Sequence, residues 1–489
     1  MQVQEVASRA KRGFTASLTR QLIVQGSGFG ATIVLARYLS PKDFGVFGLV
    51  SLIVQFFSYF ATTGLATAVV RSKEEPARVD LDSVFTCELI AGTAGTLLLL
   101  GVSPLLPRIN SIFTPGSLSL IRVLAISGWF YVFRLLPSVS MERHLEFTKI
   151  ALIETVENLA FNAMAILMAF RHTGPWALVA ATMTRSITGT ALAIFLAPIR
   201  PHLTLASPRI KSLLAVGIGF QSPAIVYFLK DLAMPGFIAA TLGPTYLGYF
   251  VWLNDLKRKF STFANLYIKI AFPTMAKLSA VGGDMARSIR HSTIMLGLVY
   301  WPLTFGLVAT SSFYIHYIFS DKWLPAQPLL TIFMPSILFL IVINPWFALI
   351  QLMSHWRWPM TMAFAIAAWD IVGGILFIKG FGLIGCGAAF LVSNTICTWL
   401  CFTQLRKLLP ENYRDALVPW RGKLVLNCIM TIPCFYLVDH TVGNLAHCAL
   451  AAAVVCIALG AVNWLLFASD RAMVAKIAAH FIPRLARQA

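Results

Sequence analysis

The sequence predicts an all-α polytopic membrane protein of about fourteen transmembrane helices, and three observations carry that expectation. Only 12% of the 489 residues are charged and 58% are hydrophobic, whereas a soluble domain carries about 25% charged residues. Apolar windows recur along the chain, each near the ~20 residues a helix needs to cross a bilayer. Lysine and arginine concentrate on alternate connections, which is the positive-inside pattern. The formal charge of +19 is thereby read as topogenic. Nucleic-acid binding is not expected, because it needs basic residues gathered on one face of a soluble domain.

The windows fall near 14–38, 44–70, 83–106, 117–140, 150–170, 175–197, 211–241, 244–272, 288–311, 327–352, 359–379, 382–404, 422–439 and 445–468. Arg9, Lys11 and Arg12 precede the first. The apolar stretch 14–39 is longer than a signal-peptide core, holds Arg20 and has no small-residue cleavage site, so an uncleaved first span with a cytoplasmic N-terminus is expected. Fourteen spans then return the C-terminus to the cytoplasm. On that topology 24 of the 39 lysines and arginines lie in cytoplasmic segments, six in the opposite loops and nine inside spans. One missed or extra helix early in the chain would invert every later loop and erase the asymmetry.

An internal repeat supports a two-lobe plan. Between spans one and two the chain reads Ala36-Arg-Tyr-Leu39-Ser-Pro41-Lys-Asp-Phe44-Gly45-Val-Phe47, and between spans seven and eight Ala239-Ala-Thr-Leu242-Gly-Pro244-Thr-Tyr-Leu247-Gly248-Tyr-Phe250. A weaker echo links Gly174, Ala177, Ala180 and Ala181 to Gly382, Gly385, Ala388 and Ala389. These matches suggest two pseudo-symmetric six-helix lobes, 1–205 and 206–410, followed by two extra helices and a basic cytoplasmic tail in 411–489. An even number of spans per repeat gives parallel halves, and lobes that face one another enclose a cavity with alternating access. The competing reading is that Pro-x-x-x-Gly only punctuates turns.

Charges inside the spans are the informative residues, since each costs roughly 2.5–3.5 kcal/mol or more at a bilayer centre. Span eight holds Asp255, Lys257, Arg258 and Lys259. At 1.5 Å per residue, Arg258 lies about 20 Å along the helix from Gly243. Span seven holds Lys230 and Asp231 between Pro223 and Pro235. Asp255 is spaced to pair with Arg258 or Lys259, which leaves positive charge over. A surplus cation in a wet cavity suits an anionic cargo, and a pyrophosphate matches arginine and lysine donors. The bland reading is that a long span eight carries these charges beyond the bilayer. In the first lobe, Arg20, Glu88, Arg134, Glu154 and Glu157 fall toward the cytoplasmic thirds of their spans. A structural ion-pair network is the leading expectation there, with headgroup recognition by Arg20 and ion coupling by Glu88, Glu154 and Glu157 as alternatives. Arg185 and Asp370 are single mid-span charges, and Asp370, like Asp255, is a further candidate for ion coupling or a structural ion pair.

No Walker A loop, Gly-x-Ser-x-Gly elbow or His-Glu-x-x-His helix occurs. The eight cysteines form no CxxC or zinc-like spacing. No catalytic residue, cofactor or metal site is expected, and the chain does not read as an enzyme.

Several stretches resemble one family. Leu35-Ala-Arg-Tyr-Leu39-Ser-Pro41-Lys-Asp-Phe44-Gly45, Glu142-Arg143-His-Leu-Glu-Phe147-Thr-Lys-Ile-Ala-Leu152-Ile-Glu154, Gly174-Pro-Trp176-Ala-Leu, Phe272-Pro273-Thr-Met-Ala-Lys-Leu278 and Gly382-Leu-Ile-Gly385 are together similar to polysaccharide repeat-unit flippases. These form the Wzx-like branch of the multidrug/oligosaccharidyl-lipid/polysaccharide exporter superfamily. The resemblance covers about the first 400 residues. It implies a V-shaped pair of lobes in a bacterial inner membrane. It also implies export of an undecaprenyl-pyrophosphate-linked oligosaccharide to the periplasmic face, for O-antigen or exopolysaccharide synthesis. Arg20 matches a basic position that related lipid flippases place in the lumen, whereas Lys230, Lys257, Arg258 and Lys259 rest on the charge argument alone. A polysaccharide polymerase and chain-length or export proteins are the implied partners. A peptidoglycan lipid-precursor flippase, a cation-coupled multidrug exporter of the same fold and a membrane glycosyltransferase or polymerase are the alternatives.

Overall fold

The computed structural model describes residues 3–61, 64–72, 74–109, 113–280, 284–353, 357–408, 423–440 and 444–466. They are helical almost throughout, and no strand occurs among them. The helices are α1 (Val3–Tyr38), α2 (Pro41–Ala61), α3 (Leu65–Arg71), α4 (Arg78–Val102), α5 (Leu106–Ile109), α6 (Pro115–Arg143), α7 (Phe147–Phe170), α8 (Trp176–Leu196), α9 (Ile210–Thr241) and α10 (Pro244–Ala280). There follow α11 (Met285–Ala309), α12 (Ser311–Phe313), a π-helical turn and a 3₁₀ stretch to Ala326, α13 (Gln327–Phe333), α14 (Ser336–Met353), α15 (Arg357–Leu408), α16 (Lys423–Asp439) and α17 (Leu445–Leu466). Among the described residues, seven stretches are long and apolar enough to cross a membrane. The others expected from the sequence include α10, which carries four charged side chains between Asp255 and Lys259, and α16 and α17, which border residues outside those described. The expected C-terminal basic tail also lies outside the described residues.

Local chemistry explains the helix boundaries. Ser40 and Asp43 form a reciprocal cap at the start of α2: the Asp43 backbone N–H donates to the Ser40 hydroxyl at 3.2 Å, and the Ser40 N–H to the Asp43 carboxylate at 2.8 Å. Pro41 occupies the first helical position, where its missing N–H costs nothing. Asp284 caps α11 by accepting from the Arg287 N–H at 3.0 Å. Gly174 and Gly382, the two glycines of the weaker sequence echo, both adopt φ of +59°, a conformation that disfavours side chains. At Gly382 the long α15 is two helices meeting at a non-helical residue.

The chain forms two compact units, 1–251 and 252–489. In the first, α7 packs against α1 and α8, α6 against α8 and α4, and α9 against α2 and α3. The α7 and α8 faces bury Ala165, Ala169, Ala177, Ala181 and Ala193, and such small residues let helix backbones approach closely where lipid supplies no hydrophobic driving force. Large apolar side chains face outward instead, for example Phe195 at 80% exposure, as a bilayer solvent demands. In the second unit, α14 and α15 pack together, and α11 contacts α14, α16 and α17. Trp346, Leu349, Ile350, Cys401 and Leu405 form part of the buried core.

The strong repeat has a structural reason. Gly45 on α2 lies against the Pro244 carbonyl, and Gly248 on α10 lies against the Pro41 carbonyl. The contact is reciprocal. A Cβ on either glycine would overlap the facing carbonyl oxygen, so the Pro-x-x-x-Gly pattern specifies a close backbone crossing as well as a turn.

Ahead of α9 the chain runs extended along the start of α4. The His202 N–H donates to Asp82 at 3.1 Å, the Thr204 N–H to the Thr86 hydroxyl at 3.0 Å, and the Ser207 N–H to the Ser83 hydroxyl at 3.1 Å. The Ser207 hydroxyl donates to Asp80 at 2.5 Å. Asp80 and Asp82 are both buried. Buried acids need such donors, and an extended segment has free backbone N–H groups to supply them.

Candidate functional site

The predicted site residues separate into two charge clusters and one cavity. In the first unit, α7 presents Glu154 and Glu157 three residues apart, hence on one face. Arg20 of α1 pairs with Glu154 and also donates to the Gln21 side chain at 3.1 Å. Glu157 is taken by Arg134 of α6 and, at 3.5 Å, by Arg185 of α8. Gly189, one turn beyond Arg185, leaves room for that carboxylate, and any side chain there would run into it. The acidic face of α7 is therefore tied to three neighbouring helices. Arg20, the residue carried over from the family resemblance as a lumen contact, makes an ion pair here. Arg185, a lone charge in the sequence, also has a partner. Which helices meet α7 is a tertiary fact, and no spacing within one helix reveals it.

In the second unit the α10 charges divide by environment. Asp255 accepts from Arg258 at 2.6 Å and also pairs with Lys259. The Arg258 side chain is nevertheless 79% exposed, whereas that of Lys259 is 16% exposed. The Lys257 ammonium stands over the rings of Phe333 at 4.7 Å and Phe390 at 5.1 Å, a favourable cation–π placement. Those two rings meet edge to face at 5.2 Å. Cys386 of α15 lies close enough to both Lys257 and the buried Asp370 to feel their charges. Lys257 and Asp370, far apart in sequence, thus belong to one neighbourhood, while Arg258 is the cation most open to its surroundings. Lys230 lies on α9, and its side chain is outside the described residues.

Glu88, grouped in the sequence with the charges of the first lobe, is placed by the structure on a cavity wall. It is 3% exposed on α4 and lines a cavity of about 720 Å³ inside the first unit, among α2, α4, α6 and α8. Small and hydroxyl-bearing residues, including Ser51, Ser58, Gly92, Thr96, Gly128 and Ser186, supply much of the wall. Sequence reasoning missed these residues because none is charged. The signal that could have found them is the run of serine, threonine and glycine on the inner faces of four apolar helices.

A family model described as "Polysaccharide biosynthesis protein" matches residues 34–328. The chain is 22% identical over 412 residues to the lipopolysaccharide biosynthesis protein WzxC of Escherichia coli, covering 81% of each. It is 21% identical over 418 residues to an uncharacterized membrane protein in the cps region of Klebsiella pneumoniae, covering 83% of each. The succinoglycan biosynthesis transport protein ExoT of Rhizobium meliloti is 22% identical over 311 residues, which is 62% of this chain and 61% of that one. Among solved structures, the lipid II flippase MurJ in an inward closed conformation superposes with a TM-score of 0.71 at 13% identity, covering 92% of this chain and 98% of that one. An inward-facing multidrug transporter of the MATE family gives 0.58 at 13% identity, covering 84% and 99%. At such identities the structural likeness establishes the fold. The family match spans more than half of the residues, and on that ground the chain, a multi-pass membrane protein with the MurJ/MATE fold, belongs to the polysaccharide biosynthesis protein family.

Proposed function

We propose that this protein is a flippase that moves undecaprenyl-pyrophosphate-linked oligosaccharide repeat units from the cytoplasmic to the periplasmic face of the inner membrane, by alternating access. The expected division into lobes 1–205 and 206–410, with 411–489 appended, belongs to this proposal. So do a partner polymerase and chain-length or export proteins. The observation that carries the reading is Arg258. A guanidinium about 20 Å along α10 from its first residue is 79% exposed although it pairs with Asp255. Holding cations at that depth is costly in hydrocarbon. A water-filled path that receives an anion removes the cost, and the planar donor set of arginine suits a pyrophosphate. The named relatives in lipopolysaccharide biosynthesis and succinoglycan transport support the same cargo class.

The test replaces Lys257, Arg258 and Lys259 with glutamine in a strain lacking the gene, and scores surface polysaccharide with lipid-linked repeat units at the cytoplasmic face. Lost polymer with accumulated intermediate, at normal membrane abundance, is the expected outcome. Normal polymer from a well-inserted triple variant would assign these charges to structure and remove the pyrophosphate argument.

A further inference from the structure

We infer that Tyr300 is a positioning residue that makes a hinge in α10 directly after the cations. The hinge lets the cation-bearing segment change its tilt during transport, a role that rests on the flippase reading above.

The hinge is a hydrogen-bond arrangement. A regular α-helix joins each N–H to the carbonyl four residues back. In α10 the Ala264 N–H donates to the hydroxyl of Tyr300 on α11 at 2.8 Å, and that hydroxyl donates to the Phe260 carbonyl at 2.8 Å. The side chain therefore stands between two groups that the helical ladder joins directly. A buried tyrosine needs one partner for its hydroxyl, and the Phe260 carbonyl alone meets that need. Drawing on the Ala264 N–H as well has a mechanical effect, because a side chain inserted into the ladder is a cause of helix bending. Tyr300 is 0% exposed, so bulk water does not compete for either bond.

Neighbouring hydroxyls act on the same turn. Ser261 donates to the Lys257 carbonyl at 2.9 Å and Thr262 to the Arg258 carbonyl at 3.1 Å, a back-bonding that also bends helices. The carbonyls of Lys257, Arg258 and Phe260 thus each carry a hydroxyl donor. On α11, Pro302 lies two residues beyond Tyr300 and brings no N–H to that helix.

The two sides of the hinge are held by different partners. Before it, the Lys257 ammonium stands over Phe333 of α13 and Phe390 of α15, and Arg258 is the exposed cation. Beyond it, Tyr267 donates to the Ser292 hydroxyl of α11 at 2.8 Å, and Ser292 donates to the Ser288 carbonyl at 2.9 Å. Ala264 is about 9 Å along the axis from Arg258. The far segment is thus fixed to α11, while the segment bearing Arg258 follows α13 and α15. An uninterrupted ladder would carry both as one rod.

The test uses Tyr300→Phe in the full chain. It keeps the ring and removes the hydroxyl, so the Ala264 N–H and the Phe260 carbonyl bond to each other. Nitroxide labels on p-acetylphenylalanine at Asn254 of α10 and Met295 of α11, both exposed, report the tilt by pulsed electron resonance in nanodiscs without cargo. Surface polysaccharide in a strain lacking the gene reports transport. The wild type is expected to give a broad distance distribution and Tyr300→Phe a narrow one. Export is expected to fall about tenfold at normal membrane abundance, the factor by which one closed ladder bond depletes the bent population. Adding Ala264→Pro removes the N–H, reopens the ladder and is expected to recover the broad distribution and part of the export.

A distribution that Tyr300→Phe leaves unchanged overturns the hinge, whatever happens to export, and assigns the hydroxyl to packing. A narrowed distribution with wild-type export overturns the positioning role. Hydrogen exchange needs no variant: in the wild type it is expected to be about tenfold faster over 260–266 than over 250–256, and equal protection overturns the hinge. A wild-type gene that fails to restore polysaccharide overturns the flippase reading alone, since neither the distance nor the exchange measurement involves cargo.

Discussion

Glu157 shows how one side chain can hold several helices. Its carboxylate is buried and shared by Arg134 and Arg185, so its removal leaves two guanidinium groups facing each other without compensation. Breaking a buried ion pair by deleting one partner costs about 3–5 kcal/mol. Glu157→Gln is therefore expected to lower the melting temperature of the detergent-solubilised protein and its membrane abundance. Glu154→Gln, whose carboxylate side chain is 32% exposed against 6% for Glu157, is expected to cost less. Equal melting curves for Glu157→Gln and the wild type, measured by fluorescence-detected size exclusion, would show that the cluster is not structural. At this scale the sequence was legible where the interaction is local. Asp255, Arg258 and Lys259 sit one turn apart on one helix, so their pairing follows from helical spacing. The pairing of Glu157 with Arg185, and the place of Glu88 on a cavity wall, were not legible, because each depends on which face of a neighbouring helix arrives opposite.

Elements are specified by caps, glycines and prolines that the chain displays openly. The Ser40–Asp43 cap, Pro41 and Pro244 at helix starts, and the positive φ at Gly174 and Gly382 all lie where the sequence places boundaries. The repeated Pro-x-x-x-Gly carried more information than its turn chemistry, since Gly45 and Gly248 face each other's proline carbonyls. Because the contact is reciprocal, Gly45→Leu and Gly248→Leu are each expected to abolish polysaccharide export, by forcing α2 and α10 apart. Gly101→Leu, where an added Cβ meets nothing within 4 Å, is the internal control and is expected to export normally. Export retained by Gly45→Leu would show that the crossing can yield, and the repeat would then be a matter of turns alone. The α9 approach segment teaches the complementary lesson. Arg78 and Arg209, both among the basic residues assigned to cytoplasmic segments, reach Asp82 and Asp80, each at 3.6 Å. An extended segment docked by side-chain acceptors has no periodic signature.

For the whole molecule, orientation follows from lysine and arginine placement, because cytoplasmic connections keep them. A GFP fusion truncated after residue 205 is expected to fluoresce, and an alkaline phosphatase fusion after residue 172 to be active. The reverse pattern would invert the topology and with it the direction of transport proposed above. Both termini are cytoplasmic on this proposal.

What the sequence determined by itself is the solvent and the element type. A chain this apolar must place helices in lipid, since only closed backbone hydrogen bonding survives there, and that held for the membrane fold and the family. The tertiary structure alone decided the partners of each buried charge, the glycine crossing of α2 and α10, and the hydroxyl-lined cavity around Glu88. The physical reason is that hydropathy and helical spacing act within one helix. The free energy of a buried charge or an unpaired hydroxyl is instead settled by whichever helix packs against it.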